Sequence, residues 1–480
     1  MDTVRVRFGP SPTGFLHIGS LRTALFNWLW AKKHNGQFIL RIEDTDKERF
    51  VEGAVENIIE ALKWYGLDID EGPVYQSKRL ELYKKYIEQL IASDNAYYCF
   101  CSSERLDEVR KIQQANKQAT KYDGLCRSLS DEEVQKKLDA KEPYVVRLRV
   151  SHEGTTIFED MVYGKIEVAN KDIDDQVLMK SDGFPTYHLA NVVDDHEMKV
   201  SHVIRAQEWL PSTPKHIILY QAFGWDLPVF AHLPMVLGPD KAKLSKRHGA
   251  KAALEYRDAG YLPEAVLNFI ALLGWNPKTD QEIFNLKDLI KEFDLSKVNK
   301  SSAVFNVEKL EWMNSQYIKI KDIKELIPLR KPSLEKQGFI SDNKALFTHT
   351  IELEKDRLTT LYDPSEVAGY IFNDPEGYDP QLLISKNEIK EDTIKVMQKL
   401  RTYISSSVDD MHFKQSEALK EDIVGWIKEN QLTNKAVLWP LRVALTGKEK
   451  SADVFEVGEA IGRIRILSRI DNAINNLQKS

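Results

Sequence analysis

Val4, Val6 and Phe8 alternate with Arg5 and Arg7 at the start of the chain, a period of two that predicts a short strand. From Leu21 to Lys33 the apolar positions recur at helical spacing instead. A second strand is predicted over Gln37 to Ile42 and a second helical run from about Lys47, so strand and helix alternate up to Tyr65. That order predicts the first half of a doubly wound α/β fold. Between about Ala96 and Lys180 the pattern becomes irregular and more strand-like, as in Tyr144-Val145-Val146-Arg147-Leu148-Arg149-Val150, which predicts an α+β insertion. Strand character returns at Val200 to Arg205 and Val229 to His232 and completes the split sheet. After Pro263 helical periodicity dominates, with Val266, Phe269, Ile270, Leu272 and Leu273 on one apolar stripe. From about Asp322 to Ser480 the pattern is helical with hardly any strand, and Lys331-Pro332-Ser333 marks a candidate boundary. The expected divisions are 1–95 and 181–250 for the halves of the α/β domain, 96–180 for the insertion, 251–325 for a helical region and 326–480 for an all-α domain.

Composition sets looser bounds. A chain of 480 residues fits roughly three domains on a ~150-residue prior. A net charge of −6 argues against indiscriminate binding of polyanions, although local basic surfaces suffice for a nucleic acid. Three cysteines cannot build a disulfide framework, which fits a reducing compartment. No apolar run is long enough to cross a bilayer, and Met1-Asp2-Thr3 leads into a strand with no apolar signal core, so the cytoplasm is the expected location.

Two segments carry candidate chemistry. Gly9-Pro10-Ser11-Pro12-Thr13-Gly14-Phe15-Leu16-His17-Ile18-Gly19-Ser20 joins the first strand to the first helix, and its prolines and glycines fix the turn. His17 and Gly19 fall at the helix N-terminus, where unpaired N–H groups and the macrodipole favour phosphate. Far downstream, Lys241, Lys243, Lys246, Arg247 and Lys251 crowd into a Gly238-Pro239-Asp240 turn and its continuation. Alone, the first segment reads as an ordinary strand-to-helix turn and the second as a solvated lysine loop. Together they predict a site for one triphosphate, and so nucleotide chemistry on a carboxylate.

At these residues the chain resembles the class I aminoacyl-tRNA synthetases, with His17-Ile18-Gly19-Ser20 as the HIGH element and Lys243-Leu244-Ser245-Lys246-Arg247 as the KMSKS element. It resembles more closely the bacterial glutamyl-tRNA synthetases. That likeness rests on Arg41-Ile42-Glu43-Asp44-Thr45-Asp46, Tyr187-His188-Leu189-Ala190-Asn191-Val192-Val193-Asp194-Asp195-His196, Arg205-Ala206-Gln207-Glu208-Trp209 and Trp439-Pro440-Leu441-Arg442-Val443-Ala444-Leu445-Thr446-Gly447, in the family's order over nearly the whole chain. Ser20 stands where the family has a second histidine, so that histidine's role does not carry over. The resemblance implies a Rossmann-type catalytic domain split by an insertion that holds the tRNA acceptor end, a helical stem-contact region over 251–325, and an all-α anticodon-binding domain. It implies ATP, accompanied by Mg2+, L-glutamate and tRNA(Glu) as partners, no membrane, and a monomer. The implied reaction forms glutamyl-adenylate with release of pyrophosphate, then transfers glutamate to the 3′-terminal ribose of tRNA.

Residue roles follow from the same resemblance. Lys246 is the candidate for stabilising charge on the phosphate, with Lys243 beside it and His17 opposite. Gly19, Glu208, Trp209 and Leu237 join Lys246 as ATP contacts. Arg7 and Arg205, at strand ends, can present planar forks to the substrate's side-chain carboxylate. Glu43 suits the α-ammonium, Ser11 lies nearby in sequence, and Tyr187 and Asn191 share one helix face at i and i+4. Arg357 aligns with the arginine that lets some family members reject glutamine tRNA, so a discriminating enzyme is expected. Cys99, Cys101 and Cys126 stand where zinc-bearing relatives place ligands. Tyr122 fits that pattern and Ser128 replaces the family histidine, so zinc and a metal-free set of packed thiols are both open. The alternatives are a glutaminyl-tRNA synthetase, a non-discriminating enzyme, and an inactive tRNA-binding protein on the same scaffold. Arg7, Arg205 and the acidic run from Glu43 argue against the first; His17, Lys246 and Glu43 argue against the last.

Overall fold

A computed structural model describes residues 3–244, 248–249 and 251–480. Packing groups them into two compact units, one of 1–258 with 263–310 and one of 259–262 with 311–480.

In the first unit the strands are β1 Arg5–Phe8, β2 Gln37–Ile42, β3 Glu71–Tyr75, β4 Ala96–Cys99, β5 Val145–Leu148, β6 Thr155–Asp160, β7 Gly164–Ala169, β8 Val177–Met179, β9 His202–Ala206 and β10 Val229–Leu233, with a short parallel pair of Val236–Leu237 and Ala303–Val304. The main sheet has the order β3-β2-β1-β9-β10-β6-β7 and is parallel except for the β6–β7 hairpin. β1 therefore lies between β2 and β9, where the strand order reverses. Open α/β sheets bind ligands outside the carboxyl ends of such strands. Helix α1, Ile18–Lys33, buries Leu21, Leu25, Phe26 and Leu29, and Val6, Phe38, Ile39 and Leu40 bury the strand faces.

Local pattern and structure part at three places. The second helix, α2 Ala54–Trp64, begins there and not near Lys47, because Gly53 takes a left-handed conformation (φ 77°) immediately before it. The segment 96–180 is shared between two sheets. β4, β5 and β8 form a separate antiparallel sheet, whereas β6 pairs with β10 and carries the hairpin onto the main sheet. Lys331-Pro332-Ser333 is no boundary, since it lies inside the helix Ile323–Lys336. The prolines Pro328 and Pro332 are accommodated there while Leu326, Arg330 and Leu334 bury one face.

Among its described residues the second unit contains helices and no strand. The helices Lys390–Ser406, Ser416–Glu429 and Asn434–Thr446, with the helical run Val454–Lys479 that kinks at Gly462, bury a common core that includes Leu400, Ile423, Leu441 and Ile470.

Candidate active site

The carboxyl ends of β1, β2 and β9 open on a cavity of about 380 Å³ lined by Arg7, Ser11, His17, Glu43, Tyr187, Arg205, Glu208 and Trp209. A second cavity of about 730 Å³ is lined by His17, Gly19, Glu208, Lys243 and Lys251. His17, Ser20 and Glu208 line both, so the two spaces are neighbours that meet at the start of α1.

His17 caps α1: its Nδ1 accepts from the Ser20 N–H at 3.2 Å. An accepting Nδ1 places the neutral ring's proton on Nε2, which lies 3.0 Å from Ser20 Oγ. Burial, and then Lys243, pushes the His17 imidazole below its ordinary value, so the neutral ring is favoured. Lys243 Nζ pairs with Glu208 at 3.0 Å on the exposed side of the second cavity. Lys246, expected beside it, lies outside the described residues.

Behind the first cavity is a dense ion network. Asp195 Oδ1 accepts from Arg7 Nε at 3.0 Å and from Arg41 Nη1 at 2.6 Å. Arg41 Nη2 donates to Glu43 at 2.9 Å and to Asn191 at 3.0 Å, and Asn191 also accepts from Arg7 at 3.1 Å. Burial raises the Asp195 carboxyl, but the two guanidinium groups outweigh it and hold Asp195 below the usual range. For Glu43 burial wins over Arg41 and Arg7 and leaves the carboxyl raised. Gly9 leaves room here for Glu43, since a Cβ on it would stand 2.5 Å from Glu43 Oε1 and the carboxylate would have to shift.

Arg205 has different company. Its Nε donates to His232 Nε2 at 3.0 Å, Nη1 to Tyr187 Oη at 2.9 Å, and Nη2 to Thr213 Oγ1 at 2.9 Å. Nη1 also lies 3.2 Å from His216 Nδ1. Tyr187 packs on Trp209 with ring centroids 4.1 Å apart.

Several expected residues lie off the cavities. Asn191 lines neither and supports the arginines from behind. Leu237 lines neither although its neighbour Val236 lines the second, as side chains alternate along a strand. Arg357 belongs to the second unit, exposed, with Nη2 on the Ser451 carbonyl at 3.0 Å. Sequence reasoning missed Arg41, Asp195, His216 and His232 as parts of this site. Arg41 and His232 had a signal, each being an ionisable side chain inside a mostly apolar strand.

Away from both cavities, the sulfur atoms of Cys99, Cys101 and Cys126 lie within 4.8 Å of one another. Tyr122 Oη sits 3.5 Å from Cys99 Sγ and 3.4 Å from Cys101 Sγ, and accepts from the Cys126 N–H at 2.8 Å. Hydrogen bonding from Cys126 pulls the Cys99 thiol down.

Residues 3–312 match the catalytic domain of the class I tRNA synthetases for E and Q, and residues 307–474 match an anticodon-binding domain. The two matches meet where the two compact units divide. A glutamate-tRNA ligase of Dehalococcoides mccartyi is 45% identical, over 100% of this chain and 98% of its own. One of Clostridioides difficile is 44% identical over 99% of each. The crystal structure of a glutamate tRNA ligase from Elizabethkingia meningosepticum, in complex with its amino acid, superposes with a TM-score of 0.90 at 40% identity, over 99% of this chain and 100% of that one. The chain belongs to the glutamate-tRNA ligase family of the class I tRNA synthetases.

Proposed function

We propose that the chain charges tRNA(Glu) with L-glutamate in two steps, with glutamate in the smaller cavity and ATP, accompanied by Mg2+, in the larger. The observation that carries this reading is the wall the cavities share at His17, because the α-carboxylate and the α-phosphate must meet where the two spaces join. Arg7 and Arg205 would take the side-chain carboxylate, Glu43 the α-ammonium, and Tyr187 a further hydrogen bond. Asn191 would act through Arg7 and Arg41. Gly19, Glu208 and Lys243 would line the nucleotide's path, Trp209 would wall the neighbouring cavity, and Lys246 would engage the phosphates. No protein nucleophile is required, so the work is alignment and charge stabilisation. Arg357 would discriminate the anticodon. The second unit would bind the anticodon, and the antiparallel sheet β4-β5-β8 the acceptor end.

The cysteine triangle with Tyr122 offers three sulfurs and one oxygen, a set that fits tetrahedral zinc, with Tyr122 in place of the expected histidine. Zinc there would tie the end of β4 to the loop carrying Cys126. The function is tested by pyrophosphate exchange with glutamate and with glutamine, each with and without tRNA. Exchange that depends on glutamate is expected; exchange with glutamine alone would overturn the reading.

A further inference from the structure

Phe15 lies two residues before His17 and lines both cavities. Among the described residues it is the one large apolar side chain that the two spaces share. Phe15 is 57% exposed, and among the described residues no aromatic ring or cation packs on its face. Single exposed apolar residues are ordinary on a protein surface; one placed at the junction of two substrate cavities is in position to meet what enters there. Val51 adds to this apolar rim: it is exposed, lines the larger cavity, and its N–H donates to the Pro12 carbonyl at 2.9 Å.

The backbone that carries this ring is pinned. Leu16 is buried, its N–H donates to Asn57 Oδ1 at 3.0 Å, and its carbonyl accepts from the Ala253 N–H at 2.7 Å. On the other side of Phe15 a Cβ on Gly14 would meet nothing within 4 Å, so the turn is open to an approaching molecule. A ring held in this way offers a flat apolar face with little backbone freedom left to lose on binding. Charging brings a third substrate here, because the 3′-terminal ribose of the tRNA must reach the glutamyl carbonyl formed where the cavities meet. The terminal base hangs one glycosidic bond from that ribose. With glutamate in the smaller cavity and the nucleotide in the larger, the rim bordered by Phe15 is the space left to it.

We propose that Phe15 is the platform on which the 3′-terminal base of the tRNA stacks during transfer. Unpaired bases are commonly held in this way, since every base has a π-face that an aromatic side chain can cover. Stacking fixes the ribose through its base and so aligns the attacking hydroxyl at the junction. The inference rests on the placement of glutamate and ATP in the two cavities.

The test is steady-state charging by the full-length protein with two forms of tRNA(Glu), one intact and one whose 3′-terminal base is replaced by hydrogen while the ribose hydroxyls are kept. On the intact tRNA, Phe15→Ala should lower kcat/KM for tRNA on the order of tenfold, the scale for one base stacked on an aromatic ring. The KM values for ATP and glutamate should stay within about twofold. Phe15→Trp keeps an aromatic face and should recover most of the loss. On the base-less tRNA the parent should already be about tenfold slower, and Phe15→Ala should cost less than about twofold more, because both changes remove the same contact. An equal tenfold loss on both tRNAs, or no loss on the intact one, overturns the platform. A rise in the ATP KM of Phe15→Ala that matches the loss assigns the ring to the nucleotide and overturns it as well. A parent protein that fails to charge tRNA with glutamate overturns the functional reading instead.

Discussion

Arg7 reaches from β1 to Asp195 on the helix Tyr187–Glu197, Nε to Oδ1 at 3.0 Å, with side-chain exposures of only 4% and 1%. Because Asp195 also takes Arg41, one carboxylate holds two buried guanidinium groups behind the cavity. Asp195→Asn removes that anion and leaves both cations under-compensated. It should cost about 3 kcal/mol of stability, the scale for breaking a buried pair by removing one partner. Urea unfolding measures the loss, and a midpoint equal to the parent's would refute it.

Gly9 and Glu43 are coupled by space. A methyl group on Gly9 would press on the Glu43 carboxylate, with its oxygen 2.5 Å from the new carbon. Gly9→Ala should raise the KM for glutamate by about tenfold. Michaelis constants for glutamate and ATP, measured in parallel, separate this from a general loss of activity, since only the former should move.

Acid lability should track the histidines whose ordinary value is lowered by partial or full burial. Burial holds His202 at about 4, against an ordinary 6.5. Between those two values the unfolded chain binds a proton that the folded chain refuses, so stability falls as pH drops through the window. His188 and His232, also near 4, add to the slope in the same sense. His202→Gln removes one such proton, so the loss of urea midpoint between pH 7 and pH 5 should be smaller in the variant. An identical loss would count against the assignment.

Lys246→Ala should lower kcat by about a hundredfold, corresponding to roughly 3 kcal/mol for one preorganised donor, while leaving tRNA affinity nearly intact. Filter binding and single-turnover charging distinguish the two effects. Equal turnover in variant and parent would refute the role.

If zinc fills the cysteine triangle, metal analysis of the full chain should find about one equivalent, and Cys101→Ser should lower it sharply. Zinc-free protein with unaltered stability and charging would favour packed thiols.

Much of the architecture was readable along the chain. The alternation from Val4 to Phe8, the strand Gln37–Ile42 and the glycine- and proline-rich turn between β1 and α1 are local, because strand, helix and turn are set by neighbours a few residues apart. The same holds for Arg7 and Arg205, whose positions at strand ends point to a ligand-binding edge. The Pro-marked boundary failed for a related reason: a breaker is a local signal, and the buried face of the helix Ile323–Lys336 overrode it.

Folding alone decided which distant groups meet. That Asp195 would serve both Arg7 and Arg41, that His232 would lie beside Arg205, and that β6 and β7 would join the catalytic sheet depend on strand register and order. Those pairings join residues as many as 188 positions apart. Periodicity tells which face of an element is buried; only packing against a partner settles what that face touches, and with it how buried charges are paired.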